Sequence, residues 1–300
     1  MDIWIHCGLH KTGTSAAQSI LTRYKRQLLE CDIYYPSLGA DHHHKLAQTL
    51  IGGSSDWIRE LYIHAMNNVG HNSKVLLSSE EFELLLINKR LFSHFHESLR
   101  HAGFSSVHYI LAIRPQFEYF QSLYTQLSNT NVINYIEMAR EILLTGEYRA
   151  SSYGYSWRFV FDYARDISPL LLSHPENIHV MSMGDMVTIY PGFKILQLIS
   201  GSEVLPQNIY SDIKKDGYST VINTRPEDYV VESNYTRLFL LSTQDAADGV
   251  DASELSNEII KFRLRQIKSF SDKIRHAFEK RFRSPFDSIL MGTSKKPNRA

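Results

Sequence analysis

The sequence predicts an α/β protein, a three-layer sandwich with a central parallel sheet flanked by helices. Two observations carry this expectation. Short apolar, β-rich runs alternate with longer stretches whose apolar residues recur at helical spacing, the pattern of strands joined by crossover helices. The first run, Ile3-Trp4-Ile5, also passes within a few residues into a turn between Gly8 and Gly13 that opens a helix.

In chain order, strands are expected at Ile3 to Cys7, Ile33 to Tyr35, Lys74 to Leu77, Val107 to Ile113 and Ile178 to Met181. The first helix starts at Gly13 or Thr14 and runs to about Leu29, because Ala17, Ile20, Leu21, Tyr24 and Leu28 form one apolar stripe. Further helices are expected over Tyr135 to Leu144, Trp157 to Leu172 and Gly192 to about Ile199. Residues 201–223 are polar and turn-rich and read as a long functional loop. Thr224-Arg225-Pro226-Glu227 has capping-box spacing with proline at the first helical position, so a helix is expected to begin there. Glu254 to Phe282 reads as a long basic amphipathic helix that packs Leu255, Ile259, Phe262 and Ile267 on the core rather than on a membrane. The expected organisation is a single domain over residues 1–283 and a disordered tail at 284–300.

With 300 residues, 43% of them hydrophobic, the chain is long enough to bury a sizeable core. Lysine plus arginine and aspartate plus glutamate number 32 each, so no global field marks a nucleic-acid binder, and any positive site has to be local. The two cysteines, Cys7 and Cys31, one of them inside the glycine turn, argue against a disulfide framework and for a reducing compartment. No run of about 18 apolar residues is present, so no transmembrane span is expected. The first apolar run is too short for a signal peptide. These features predict a soluble cytoplasmic protein with no nucleic-acid partner and leave its oligomeric state open.

The glycine turn is the first candidate site. Gly8 and Gly13 bracket four residues, as in the phosphate-binding pattern G-x-x-x-x-G-K-[ST], where backbone N–H groups and the following helix N-terminus cradle an anion. The position after Gly13 is Thr14, however, where an ATP-using loop has the lysine that reaches the outer phosphates. Here the lysine is Lys11, inside the turn, with Thr12, Thr14 and Ser15 as hydroxyl donors. That arrangement suits an oxyanion with a single bridging leaving oxygen. A second candidate lies in residues 109–126, where an apolar strand ends in Arg114, Pro115 opens a helix, and Ser122 follows about two turns along.

Together, Lys11-Thr12-Gly13-Thr14-Ser15 and the Arg114/Ser122 pair resemble the sulfotransferases that use 3'-phosphoadenosine 5'-phosphosulfate (PAPS). In that family a lysine-containing loop holds the 5'-phosphosulfate, and a strand-end arginine with a serine eight residues later holds the 3'-phosphate. The "HKTGTS" form with a following glutamine is most like the bacterial and glycan-modifying members. A weaker echo lies at residues 177–186, where the phenol branch's tyrosine and glutamate are replaced around Met183 and Gly184. The resemblance covers roughly residues 3–200. It implies a P-loop-like sulfotransferase fold, and it implies that His10, Lys11, Thr12, Gly13, Thr14, Ser15, Arg114 and Ser122 bind PAPS as co-substrate. The implied reaction is sulfuryl transfer to a hydroxyl or amine of a carbohydrate or other small acceptor.

Such a transfer needs positive charge at the leaving phosphate oxygen and a base for the acceptor proton. Lys11 is placed for the first role, and the chemistry implies no obligatory metal. For the base, Glu80 and Glu81 follow the third strand at the sheet's carboxyl edge, and the run His42-His43-His44 follows the first helix. The family pattern does not choose among Glu80, Glu81 and His43. "SSEE" reads equally as a helix cap, and the histidine run reads as a solvated turn, an acceptor-facing loop or a general base. No second cluster accompanies that run to make a metal site. Trp57, Trp157, Tyr153 and Tyr155 are either sugar-stacking or core aromatics. Two other readings stay open: a P-loop small-molecule kinase using ATP, and a non-catalytic nucleotide-binding protein.

Overall fold

The computed structural model of the chain describes residues 1–37, 42–71, 73–128, 133–152, 155–202, 204–215 and 271–290. The chain divides into two compact units. The first comprises Met1–Arg114, Tyr163–Thr220 and Asp287–Ala300, the second Pro115–Asp162 and Val221–Phe286.

The first unit is built on strands β1 (Asp2–His6), β2 (Ile33–Tyr34), β3 (Lys74–Ser78) and β4 (Ser106–Ile113), joined later by β7 (Ile178–Ser182). They form one sheet in the order β2-β3-β1-β4-β7, and every pairing is parallel. Between β1 and β4 run helices α1 (Thr14–Arg23), α2 (Lys25–Leu29), α3 (His44–Ile51), α4 (Asp56–Val69), α5 (Glu83–Ile87) and α6 (Lys89–Ala102). The second unit contributes α7 (Gln116–Ser128), α8 (Tyr135–Thr145) and the strands β5 (Glu147–Ser152) and β6 (Tyr155–Val160). The chain then returns to the first unit with α9 (Tyr163–Asp166), α10 (Ser168–Ser173), α11 (Met183–Met186), α12 (Phe193–Ser200) and α13 (Val204–Lys215).

The three layers follow from side-chain alternation along the strands. On one face Trp4, Leu76, Ile110, Ala112 and Met181 share a core with Ala17, Ile20 and Leu21 of α1, Leu196 and Ile199 of α12, and Ile209 and Ile213 of α13. Ile3, Ile5, Val75, Leu77, Val107 and Tyr109 are buried on the other. There α6 buries Phe92, Phe95 and Leu99, with the Phe92 ring 4.7 Å from that of Tyr109. A sheet covered on both faces needs strands that are apolar almost throughout, and β4, SVHYILAI, is of that kind. Fully burying a leucine or isoleucine contributes about 1.5–3 kcal/mol, so the stripe on α1 suffices to dock that helix.

The expected strands and the helix at Tyr135 appear within a residue or two of their predicted bounds. The first helix is split at Tyr24 into α1 and α2, yet Leu28 stays buried, so the apolar stripe continues across the break. Two expectations are corrected. Trp157 to Leu172 is not one helix: Tyr155–Val160 is the strand β6, antiparallel to β5, with Trp157 opposite Ala150 and Phe159 opposite Tyr148. The residues Tyr155, Trp157 and Phe159 alternate with period two, and pairing to β5 realises that pattern. Arg149 and Arg158 stand directly opposite one another, and the Glu147 carboxylate between them accepts from both, from Arg158 Nε at 2.6 Å and Arg149 Nε at 2.9 Å. Residues 201–223 are likewise not a continuous loop, because α13 occupies Val204–Lys215. Ile209 and Ile213, one turn apart, pack into the core, and Pro206 falls in the first turn, where a missing N–H removes no intrahelical bond.

The second unit has its own core, in which Phe117, Phe120 and Tyr124 of α7 meet Tyr135, Phe159, Phe161, Phe278 and Phe282. Residues 271–290 are helical. The long helix expected at Glu254 to Phe282 is therefore present over 271–282 and continues past residue 283, where a tail was expected. Leu255, Ile259, Phe262, Ile267, the cap at Thr224 and the terminal "SKKPNRA" lie outside the described residues. Among the described residues no helix is long and apolar enough to cross a membrane.

Candidate functional site

The candidate site lies at the carboxyl ends of β1, β3 and β4. β1 ends at His6, and the turn that follows is stitched to β4, Cys7 N–H donating to Ile110 O (2.8 Å) and Leu9 N–H to Ala112 O (3.2 Å). Gly8 admits no side chain, since a Cβ there would stand 2.1 Å from Thr14 Oγ1. Gly13 has φ +85° and forms the N-cap of α1, a left-handed conformation that glycine adopts at no steric cost. Lys11 is also left-handed, at φ 65°, which costs a non-glycine residue on the order of 1 kcal/mol.

α1 starts with no side-chain cap and no acidic residue in its first turn. Its leading N–H groups and the positive end of its dipole are therefore left without a capping side chain from the helix itself, an environment that favours a bound anion. Lys11 and Ser15 are exposed at this end. Thr12 and Thr14, read from sequence as donors to the ligand, are both buried. Thr12 O–H donates to Leu9 O at 2.6 Å and so braces the turn, and Thr14 Oγ1 lies 3.4 Å from Thr12 Oγ1.

Arg114 follows the end of β4, and its guanidinium donates from Nη1 to the Lys11 carbonyl at 3.2 Å. The buried Tyr163 hydroxyl donates to the Arg114 carbonyl at 2.9 Å and holds the strand end. Arg114 thus lies against the turn itself. Ser122 is on α7 of the second unit and half-buried.

Beyond β3, Ser79 caps the short 3-10 turn Glu80–Phe82 by accepting from Glu81 N–H. The cap reading of "SSEE" is therefore correct for the serine, and the glutamates are free for other contacts. Burial raises the Glu80 carboxyl above its ordinary range, the nearby Lys11 charge pulls it back, and Glu81 raises it again. Its Oε1 is 3.9 Å from His10 Nδ1. Glu81 accepts from Gln48 Nε2 at 3.0 Å, while burial raises its carboxyl. Glu83 accepts the His10 backbone N–H at 3.2 Å. The His10 imidazole, between Glu80 and Glu83, is pushed down to about 4 by burial and by the charges of His44 and Lys11.

The structure overturns both the general-base and the solvated-turn readings for His43. The ring is 1% exposed, its Nδ1 accepts Ser78 N–H at 2.9 Å, and its Nε2–H donates to Pro36 O at 3.0 Å. With both nitrogens committed, this histidine clamps the run to β3. His44 Nδ1 pairs with Ser79 Oγ at 2.6 Å and its ring stacks on His42 at 3.7 Å. Among the described residues no group of three or more histidine, cysteine or acidic side chains is arranged for a metal. Half-buried Trp57 lies with its ring 6.0 Å from that of Phe95, and the partly buried Trp157 packs on the second unit's core. Tyr153 lies outside the described residues.

Sequence reasoning missed His6, Gln18 and Glu83. His6 is fully buried with Nδ1 2.8 Å from Ser78 Oγ, and Gln18 Nε2 donates to the same oxygen at 3.3 Å. A signal existed for Gln18, since a polar residue four positions after Thr14 interrupts the buried side of α1.

The fold and these side chains define a class, a parallel α/β protein whose first strand-to-helix turn is tied to the ends of two neighbouring strands. No family model, curated protein or solved structure matches the chain.

Proposed function

We propose that this protein is a PAPS-dependent sulfotransferase with a P-loop-like fold, acting in the cytoplasm on a hydroxyl or amine of a carbohydrate or other small acceptor. The observation that supports it best is the Gly8–Ser15 turn, where an uncapped helix N-terminus, the exposed Lys11 and the adjoining Arg114 converge. The first-turn N–H groups and Lys11 would hold the 5' end of a phosphosulfate, and Arg114 beside them would meet its 3'-phosphate.

When bound, the donor supplies the sulfuryl group, whose bond from sulfur to the bridging phosphate oxygen breaks as the acceptor oxygen or nitrogen bonds to sulfur. Lys11 meets the charge that develops on the departing phosphate oxygen. Glu80 takes the acceptor proton. Its burial brings its carboxylate nearer to neutral basicity, and unlike Glu81 its carboxylate accepts no hydrogen bond from Gln48. His10, neutral in this setting, separates Glu80 from Glu83.

Calorimetric titration with adenosine 3',5'-bisphosphate, beside ATP with magnesium, tests the donor, and labelled sulfate transfer to an acceptor panel tests the activity. Binding of the bisphosphate in preference to ATP is expected. A folded protein that binds ATP with magnesium and ignores the bisphosphate would overturn the donor assignment and leave the kinase and the non-catalytic nucleotide-binding readings.

A further inference from the structure

His6 lies under the turn with one nitrogen satisfied and one not. Ser78 Oγ accepts from Gln18 Nε2 at 3.3 Å and lies 2.8 Å from His6 Nδ1. In the tautomer where the Ser78 hydroxyl donates to Nδ1, the imidazole proton is on Nε2. Nε2 is buried and has no hydrogen-bond partner among the described residues. A buried donor without an acceptor is costly, and native proteins seldom keep one without a use.

Its direction is set by Gly8. A Cβ on Gly8 would be 3.2 Å from His6 Nε2, 3.1 Å from Thr12 Oγ1 and 2.1 Å from Thr14 Oγ1. The three polar atoms therefore line one notch beneath the turn. Thr12 has given its proton to Leu9 O. Thr14 is the first residue of α1, the helix whose N-terminus carries no side-chain cap.

We propose that His6, in its Nε2–H tautomer, is a positioning residue for the anion held in the turn: once the anion is bound, Nε2–H donates to Thr14 Oγ1, and the Thr14 hydroxyl proton turns from Thr12 Oγ1 to the ligand. The result is a one-directional chain, Gln18 to Ser78 to His6 to Thr14 to anion, in which each bond polarises the next. The imidazole stays neutral at working pH because burial pushes its pKa down to about 3, so the chain carries no charge of its own. This inference rests on the anion-binding reading of the turn and adds to it a residue outside the loop motif.

The test is nitrogen-15 NMR of the His6 side chain in the full-length protein, titrated separately with adenosine 3',5'-bisphosphate, pyrophosphate and sulfate. The expected result is an Nε2–H tautomer that persists from pH 5 to 9 and an Nε2–H resonance that moves downfield on saturation. Thr14→Val should abolish that movement and Thr14→Ser should keep it. His6→Asn should weaken anion binding about tenfold in the wild-type background and much less in Thr14→Val. An Nδ1–H tautomer, an unmoved resonance in a saturated complex, or additive effects of the two substitutions would overturn the proposal. Should pyrophosphate give the full response while the bisphosphate does not bind, the PAPS reading fails and the chain stands. If none of the three anions binds, both fail.

Discussion

Alanine at position 8 introduces a Cβ 2.1 Å from Thr14 Oγ1, where carbon and oxygen normally keep more than 3 Å apart. Gly8 does not have a positive φ, so no backbone strain enters and the whole effect is steric. Relief by rotating Thr14 is hindered, because Thr14 is 2% exposed and hemmed by Thr12 Oγ1 and His6 Nε2, themselves 3.1 and 3.2 Å from the new atom. Overpacking of this kind costs ~2–3 kcal/mol, against which the stiffer unfolded chain returns roughly 0.5 kcal/mol. Gly8→Ala should therefore lose about 2 kcal/mol of stability, read as a lower urea midpoint at unchanged slope. Because one oxygen carries most of the clash, Thr14→Ala should offset it, so the cost of Gly8→Ala in that background falls by roughly 1 kcal/mol or more. An unchanged midpoint for Gly8→Ala, or an equal loss with and without the Thr14 hydroxyl, would refute the packing argument.

Three further outcomes are expected. Lys11→Ala should lower sulfuryl transfer by ~10²–10³-fold while barely moving the unfolding midpoint, since the side chain is exposed and opposes charge only as the donor bond breaks. Glu80→Gln should abolish the acid limb of the rate profile. It should also stabilise the fold at neutral pH: a carboxyl whose folded pKa is raised contributes stability at low pH that is lost as pH rises through that pKa, which pH-dependent urea melts would show. Finally, His6 is held down to about 3 when folded against 6.5 for the free side chain, so the unfolded chain binds the extra proton below pH 6.5 and stability should fall with acid, by up to about 1.4 kcal/mol per pH unit from this group alone. His10 and His44, both pushed to about 4, add in the same direction, and His6→Asn should flatten the dependence measured between pH 6.5 and 4.

The strands and the turn were legible because their signals are local. Ile3 to Cys7 and Val107 to Ile113 are apolar runs too short for helices, and Gly8 and Gly13 mark a backbone that other residues cannot follow. Where a segment's state depends on a distant partner, the reading failed. The β6 strand exists because Trp157 and Phe159 find Ala150 and Tyr148 across a hairpin, and α13 forms because the core accepts Ile209 and Ile213. The histidine run illustrates the same limit at the site, since nothing in "DHHHK" says that Ser78 and Pro36 will take both nitrogens of the middle ring.

By itself, then, the sequence determined the alternation of strand and helix, the glycine turn with its displaced lysine, and the arginine that follows β4. These depend on backbone conformation and on residue spacing of a few positions. Which side chains face one another was decided only by the parallel register of β1 between β3 and β4. That register sets His6 beside Ser78, buries Thr12 and Thr14 under the turn, and turns His43 into a clamp while Glu80 lies near Lys11. Burial then changes the chemistry of each group, because removing water penalises charge and demands a partner for every polar atom.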